Sequence, residues 1–338
     1  MKSTEVNHQV SSQSIPDLSS WRQQLNSFGQ TRTPCFFLIS FDGQHSRVEP
    51  LSKLSDDIAF RFPQKTCGHN PFQPYPVKGD WCPDPLSWSM YKKIFYTIRE
   101  HIFYGDTYLL NLTFSTPVKS SWSLEQMYHW ARAPFMLLIK DAFICFSPER
   151  FVRIKDHQIE AFPMKGTADA WQCNAAQNLL ESPKEKAEHA MVVDLLRNDL
   201  SRVANHVRVE RFRFLEFIHR PQGDLLQTSS HIKGQLPCDW QNSIGDILWE
   251  LLPAGSVSGT PKRKTSEIIQ QVEHHNRGYF TGVFGYFDGE SLDSGVLIRF
   301  VEKTSDGYLY KSGGGITWES CPHMEYQEMV NKIYVPLA

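Results

Sequence analysis

Apolar residues along this chain fall into two recurring patterns. The first is the short unbroken run. Cys35-Phe36-Phe37-Leu38-Ile39-Ser40 reads as a strand buried on both faces, closed by the turn Phe41-Asp42-Gly43. Strand-like runs recur over 108–118, 135–139, 142–146, 151–154, 159–162, 207–217, 224–232, 281–287, 296–302 and 308–311. The second pattern is helical. Tyr91, Ile94, Phe95, Ile98 and Ile102 share one face of a stretch opened by Pro85 and stopped by Gly105-Asp106. Helices are also predicted over 124–131, 184–200, 240–252, 262–272 and from His323 to the end. Residues 1–33 are polar at the start, and 61–86, dense in Pro, Gly and aromatics, predict a long irregular loop. No repeat or low-complexity tract interrupts the pattern. Hairpin-like runs among long helices predict an α+β fold, with a short N-terminal region (1–84) ahead of the main domain (85–338).

Charge narrows the partners. Thirty-five Lys and Arg against 37 Asp and Glu leave a net charge of −2, which gives no electrostatic case for nucleic acid or an anionic membrane surface. An anionic substrate would need local cations. Seven cysteines without a Cys-X-X-Cys pair read as reduced thiols, and Cys67, His69 and Cys82 lack a fourth zinc ligand. The N-terminus has no apolar signal core and no run of eighteen apolar residues occurs, so a cytoplasmic location is expected.

Several polar residues interrupt the apolar pattern. Lys165, in Pro163-Met164-Lys165-Gly166-Thr167, follows a strand-like run and precedes a Gly-Thr turn. An amine held there is a nucleophile if its pKa is lowered, although most lysines are solvated charges. Glu149 lies sixteen residues earlier, in Ser147-Pro148-Glu149-Arg150. On adjacent strands the two would face one pocket; otherwise Glu149 simply pairs with Arg150. Glu185 and Glu188 are three apart on one predicted helix, and Glu325 and Glu328 on another. They are either two solvated faces or, on facing helices, four carboxylates that need a cation between them. Hard oxygen donors suit Mg²⁺. Arg299 alternates with apolar residues on a predicted strand, and Gly313-Gly314-Gly315 marks either a close backbone approach or a strand-end turn.

These motifs, with Lys184–His189, Pro253–Lys262 and Glu325-Tyr326-Gln327-Glu328, resemble the chorismate-utilising enzymes from about Tyr91 to the C-terminus. That family includes the anthranilate, isochorismate, salicylate and aminodeoxychorismate synthases. Pro-X-Lys-Gly-Thr resembles its aminodeoxychorismate synthase component I branch, whereas anthranilate synthases carry Ala at the lysine position. The resemblance implies an anthranilate synthase component I-like fold, with two packed β-sheets flanked by helices and the active site in the cleft between them. It makes 85–338 the chorismate-binding catalytic domain. It implies Glu188 and Glu328 as direct Mg²⁺ ligands, with Glu185 and Glu325 acting through water, and the ion holding the ring carboxylate of chorismate. Glu149 would be the general acid for loss of the C4 hydroxyl. Lys165 would be the covalent nucleophile at C2, or else an orienting charge. Gly166, Thr167, Tyr286, Arg299, Gly314, Gly315 and Lys332 stand at substrate-contacting positions.

The product expected from the resemblance is 4-amino-4-deoxychorismate, on the route to p-aminobenzoate and folate. No Gly-X-Cys-X-Gly elbow is present, so ammonia is expected from a separate glutamine amidotransferase subunit or from free ammonium. Three departures stand out. Leu109 replaces the Gln of ammonia-using relatives and the Lys of isochorismate-forming ones. Gln227 replaces a common His, and no Leu-Leu-Glu-Ser segment for tryptophan binding is found. Anthranilate synthase component I and a degenerate chorismate-binding scaffold are the alternatives.

Overall fold

The unbroken run Cys35–Ile39 is a strand with both faces covered, because it lies inside a sandwich. Phe36 and Leu38 point between two sheets, while Cys35, Phe37 and Ile39 pack outward with Trp21, Leu25 and Ile244 on helices. Phe135–Ile139 and Val283–Phe287 are sorted in the same way. Strands covered on both sides carry apolar residues at every position, which hides the period-2 signal. The computed structural model describes residues 20–68, 79–218 and 223–337. The polar start (1–19) and the middle of the expected loop (69–78, with His69) lie outside the described residues.

Among the described residues each sheet has nine strands, and every pairing is antiparallel. The first runs Met164–Asp169, Leu225–Gln235, Gln158–Ala161, Arg150–Lys155, Leu292–Val296, Val283–Phe287, Cys35–Ile39, Ser46–Pro50. Asn205–Ile218 also pairs with Leu225–Gln235. The second runs Gly259–Thr260, Leu109–Ser120, Gly307–Thr317, Phe300–Thr304, Phe143–Ser147, Phe135–Ile139, Ile58–Phe62, Lys65–Cys67, with Trp81–Pro83 beside Leu109–Ser120. Aromatic rings fill the space between the sheets. Phe60 stacks on Phe36 at 5.3 Å and on Tyr286 at 6.1 Å, with Phe62 edge-on to Tyr286. The predicted α+β fold and its two packed sheets are what the chain forms.

Several local expectations give way. The region 61–86 is not irregular throughout, since Lys65–Cys67 and Trp81–Pro83 are strands and Ile58–Phe62 reaches into it. Phe62 is a core residue there. The predicted strand 296–302 is broken: Leu292–Val296 belongs to the first sheet and Phe300–Thr304 to the second, so residues 297–299 cross between them. The triple glycine is not a strand-end turn but lies within Gly307–Thr317. A Cβ on Gly313 would stand 2.2 Å from the Leu112 carbonyl oxygen of the paired strand. Helices Ser20–Gln30 and Ala175–Glu181 arise in stretches with no predicted helix.

Candidate active site

Two neighbouring crossings between the sheets place the first functional groups. Glu149 sits where the chain leaves Phe143–Ser147 of the second sheet for Arg150–Lys155 of the first. Arg299 sits on the return crossing, at φ 54°, a backbone state that costs a side-chain-bearing residue. The crossings are bonded together: Val296 N–H donates to Glu149 O (3.1 Å) and Phe146 N–H to Arg299 O (3.0 Å). The expectation of Arg299 on a regular strand is thus corrected. The crossing turns its guanidinium within electrostatic reach of Glu149, Glu328 and Lys332.

Lys165 arrives from the edge of the first sheet. Gln158–Ala161 and Met164–Asp169 lie in succession along the same partner, Leu225–Gln235. Between them Pro163 has no N–H to give, and its carbonyl accepts from Ser230 N–H at 2.9 Å. The expected Gly-Thr turn is instead a β-bulge between Lys165 and Thr167, with Gly166 at φ 78°. The Thr228 hydroxyl bonds the Lys165 carbonyl.

Helix Pro183–Ser201 supplies the acids beside Lys165. Ser182 caps it by accepting from Glu185 N–H at 3.3 Å, with Pro183 in the first turn. Glu185 lies against Gly166, where a Cβ would stand 2.5 Å from its Oε2. Glu188, one turn on and buried, reaches Lys165: Nζ to Oε2 is 2.8 Å. Lys184 stands 3.7 Å from Glu188 Oε1, an oxygen that is buried without a hydrogen-bond partner. Helix Pro322–Asn331 brings Glu325 and Glu328 beside Gly314, and Lys332 Nζ bonds Glu328 Oε1 (2.6 Å) and Gly313 O (2.9 Å).

Glu149, Lys165, Glu188 and Gly315 line one cavity of about 90 Å³, with Leu109 and Asn111 from the second sheet. A wider pocket of about 470 Å³ shares Glu188, Met191 and Thr317 with it and opens past Phe103, Tyr108 and Trp318. Gly314, Glu325, Glu328, Lys332 and Arg299 flank the cavity, while Glu185 and Gly166 adjoin it behind Lys165. Two expected contacts are not brought to it. Thr167 is exposed beyond the bulge, and Tyr286 is packed in the aromatic layer between the sheets. Leu109 is on the cavity wall, against Gly315, whereas Gln227 pairs opposite Thr167 on the outer strands.

Charge in the site is balanced by its own lysines. Burial alone would lower the Lys165 ammonium, but Glu188, Glu328 and Glu325 outweigh it and hold the group above its usual range. Lys165 therefore rests as a cation. Burial raises Glu149 above the usual carboxylate range, and the Ser256 hydroxyl, Arg299 and Lys332 only partly oppose this. Burial and the Glu328 charge raise Glu325. For Glu328 burial pulls upward, but Lys332 outweighs it and holds the carboxyl below its usual range. As these side chains stand, no three His, Cys, Asp or Glu groups among the described residues are gathered to hold a metal ion. Lys165 and Lys332 occupy the acids as counter-cations.

Sequence reasoning gave no role to Asn111 or Ser256. Asn111 lies two residues beyond Leu109, so the alternation of a strand puts both on the cavity side. Ser256 lies within the Gly255-Ser256-Val257-Ser258-Gly259 segment, whose hydroxyl-and-glycine composition was the available signal. All seven cysteines are free thiols, and no helix among the described residues is long and apolar enough to cross a membrane.

Residues 20–338 match the chorismate binding enzyme family. The chain is 45% identical over 317 residues to an "uncharacterized PabA-like protein" of Haemophilus influenzae, covering 93% of this chain and 96% of that one. It is 32% identical over 252 residues to aminodeoxychorismate synthase component 1 of Bacillus subtilis, covering 70% of this chain and 52% of that one. Among solved structures, anthranilate synthase component I of Streptococcus pneumoniae superposes with a TM-score of 0.64 at 26% identity, over 76% of this chain and 59% of that one.

Proposed function

This chain belongs to the chorismate-binding enzyme family, and we propose that within it the chain is an aminodeoxychorismate synthase component I, making 4-amino-4-deoxychorismate from chorismate and ammonia. The observation that carries this reading is one cavity with Glu149 on one wall and Lys165 on another.

A carboxyl whose hold on its proton is strengthened by burial is suited to donate to a poor leaving group. Glu149 protonates the C4 hydroxyl of chorismate, and the C4–O bond breaks as water leaves. Lys165, having passed its ammonium proton to solvent, attacks C2 while both ring double bonds shift one position toward C4. Ammonia then attacks C4, both double bonds shift back, the C2–N bond breaks to return Lys165, and the proton lost by the new amine restores the acid form of Glu149. Two allylic displacements retain the position and stereochemistry of the substituent. Arg299 and Lys332 are the cations for the substrate's carboxylates. Ammonia comes from a separate glutamine amidotransferase subunit, or from free ammonium in its absence.

Glu188 and Glu328 would hold Mg²⁺ directly, and Glu185 and Glu325 would act through water. The donor chemistry fits, because all four are hard carboxylates and Glu188 Oε1 lacks a hydrogen-bond partner. When bound, the ion would supply positive charge for the ring carboxylate.

Incubation with chorismate, Mg²⁺ and ammonium, followed by product analysis, tests the assignment. A non-fluorescent product that keeps its enolpyruvyl group and carries an amine at C4 is expected. Fluorescent anthranilate, or no turnover with a competent amidotransferase present, would overturn it.

A further inference from the structure

Three hydroxyl residues line the cavity, Ser256, Ser258 and Thr317, and the mechanism uses none of them. Ser256 is on a tight 3-10 turn, Gly255–Val257, and its Oγ donates to Glu149 Oε1. Both residues line the cavity, and Ser256 reaches Glu149 across 107 positions of sequence.

The turn is fastened from three directions. From the second sheet, Asn111 N–H donates to Ser258 O at 2.8 Å. From helix Pro183–Ser201, Asp199 and Leu195 close on Gly255, where a Cβ would stand 2.8 Å from Asp199 Oδ2. Asp199 also pairs with Lys262 at 2.8 Å, and Lys262 Nζ donates to Leu251 O at 2.9 Å, so the segments on both sides of the turn are tied to that helix. From the third direction, Arg277 donates to Val257 O (2.8 Å) and Asn111 O (2.7 Å). Glu273 fixes that guanidinium through contacts at 2.8 and 2.7 Å, and both side chains are buried. Groups held by buried, fully bonded ion pairs lose little freedom when they act.

The partner of this hydroxyl has few other constraints. Glu149 lies on a crossing rather than inside a strand, and its own backbone N–H is bonded to Ser147 Oγ at 3.1 Å. Among the described residues Ser256 is the one neutral side-chain donor to its carboxylate, with Arg299 and Lys332 acting on it through charge. Fixing Oε1 fixes the direction of Oε2, the oxygen left to face a leaving group.

We propose that Ser256 is a positioning residue for Glu149: its hydroxyl, on a turn pinned by Arg277 and Lys262, holds the carboxyl in the orientation that delivers a proton to substrate. This rests on the general-acid reading of Glu149 given above.

The test is steady-state kinetics with chorismate, Mg²⁺ and ammonium on Ser256→Ala, Ser256→Cys and Ser256→Thr, beside Glu149→Gln. Loss of one hydrogen bond to a charged or acidic group predicts a fall in kcat of about 10- to 100-fold for Ser256→Ala, with KM for chorismate within about twofold. Thr keeps the donor and is expected to recover most of kcat. Cys, close in size to Ser but a poor donor, is expected to follow Ala, which keeps the test valid if Ala folds badly. If Glu149→Gln is inactive while Ser256→Ala and Ser256→Cys keep wild-type kcat, the inference fails alone. A change confined to KM would make Ser256 a substrate contact and would also overturn it. If Glu149→Gln keeps full activity, it is the general-acid reading that fails.

Discussion

Lys165 Nζ lies 2.8 Å from Glu188 Oε2, so the amine proposed as nucleophile rests as half of an ion pair. The same carboxylate has a second oxygen buried without a hydrogen-bond partner. One residue thus pairs with Lys165 and keeps a hard oxygen whose nearest cation, Lys184, is 3.7 Å away. If Mg²⁺ binds there, Glu188→Gln should weaken Mg²⁺ binding by about tenfold or more, the scale of a perturbed coordination shell. Calorimetric titration of Mg²⁺ into wild type and variant measures this directly. Equal affinities would remove Glu188 from the ligand set. Chelation should abolish turnover, and added Mg²⁺ should restore it.

Glu149→Gln separates activity from stability. Losing a general acid should lower kcat by about 10²–10⁴. Burial raises the folded-state pKa of Glu149, so the folded chain binds this proton more tightly than the unfolded chain. Its stabilising contribution is complete below the unfolded carboxylate pKa and is lost as pH rises through the folded one. Gln does not titrate. The Tm of the variant relative to wild type should therefore rise with pH across that window, as thermal melts at stepped pH would show.

Arg299 combines a binding role with a costly backbone. Arg299→Ala should raise KM for chorismate by about 10- to 150-fold, equivalent to one charged hydrogen-bond interaction of about 1.5–3 kcal/mol. Arg299→Gly should bind as poorly but melt at or above the Ala variant, because φ 54° suits glycine. An unchanged KM in both would show that the guanidinium does not meet substrate.

Phe60 tests the sandwich independently of the chemistry. It is fully buried between the sheets, stacked on Phe36 and Tyr286. Phe60→Ala should cost about 3–5 kcal/mol in denaturant unfolding. Mg²⁺ affinity of the remaining folded protein should stay near wild type, since the cavity does not include this ring.

Much of this architecture was legible because it is written in local pattern. Lys262–Val272 is the helix its spacing predicts, and Phe135–Ile139 is the strand. What was not legible depends on partners distant in sequence. Arg299 interrupts an apolar run that looks like one strand, yet the chain changes sheets there, and no local signal marks a crossing. Gly166 and Gly313 read equally well as turns until a bulge and a paired strand explain them. Helix Ser20–Gln30 buries only Trp21, Leu25 and Gly29, a stripe too thin to stand out in a polar segment. The resemblance singled out Glu149 and Lys165, and the fold places both on one cavity. It also singled out Thr167 and Tyr286, which the bulge and the aromatic layer keep from that cavity.

Lys165 is the group proposed to form a covalent bond with the substrate. Intact-mass analysis of wild type and Lys165→Ala, each with chorismate and Mg²⁺ and without ammonium, tests it most directly. A mass increment of chorismate minus water is expected on wild type, lost on adding ammonium and absent from Lys165→Ala. An increment of that size on Lys165→Ala, or aminodeoxychorismate formed by that variant at the wild-type rate, would contradict it.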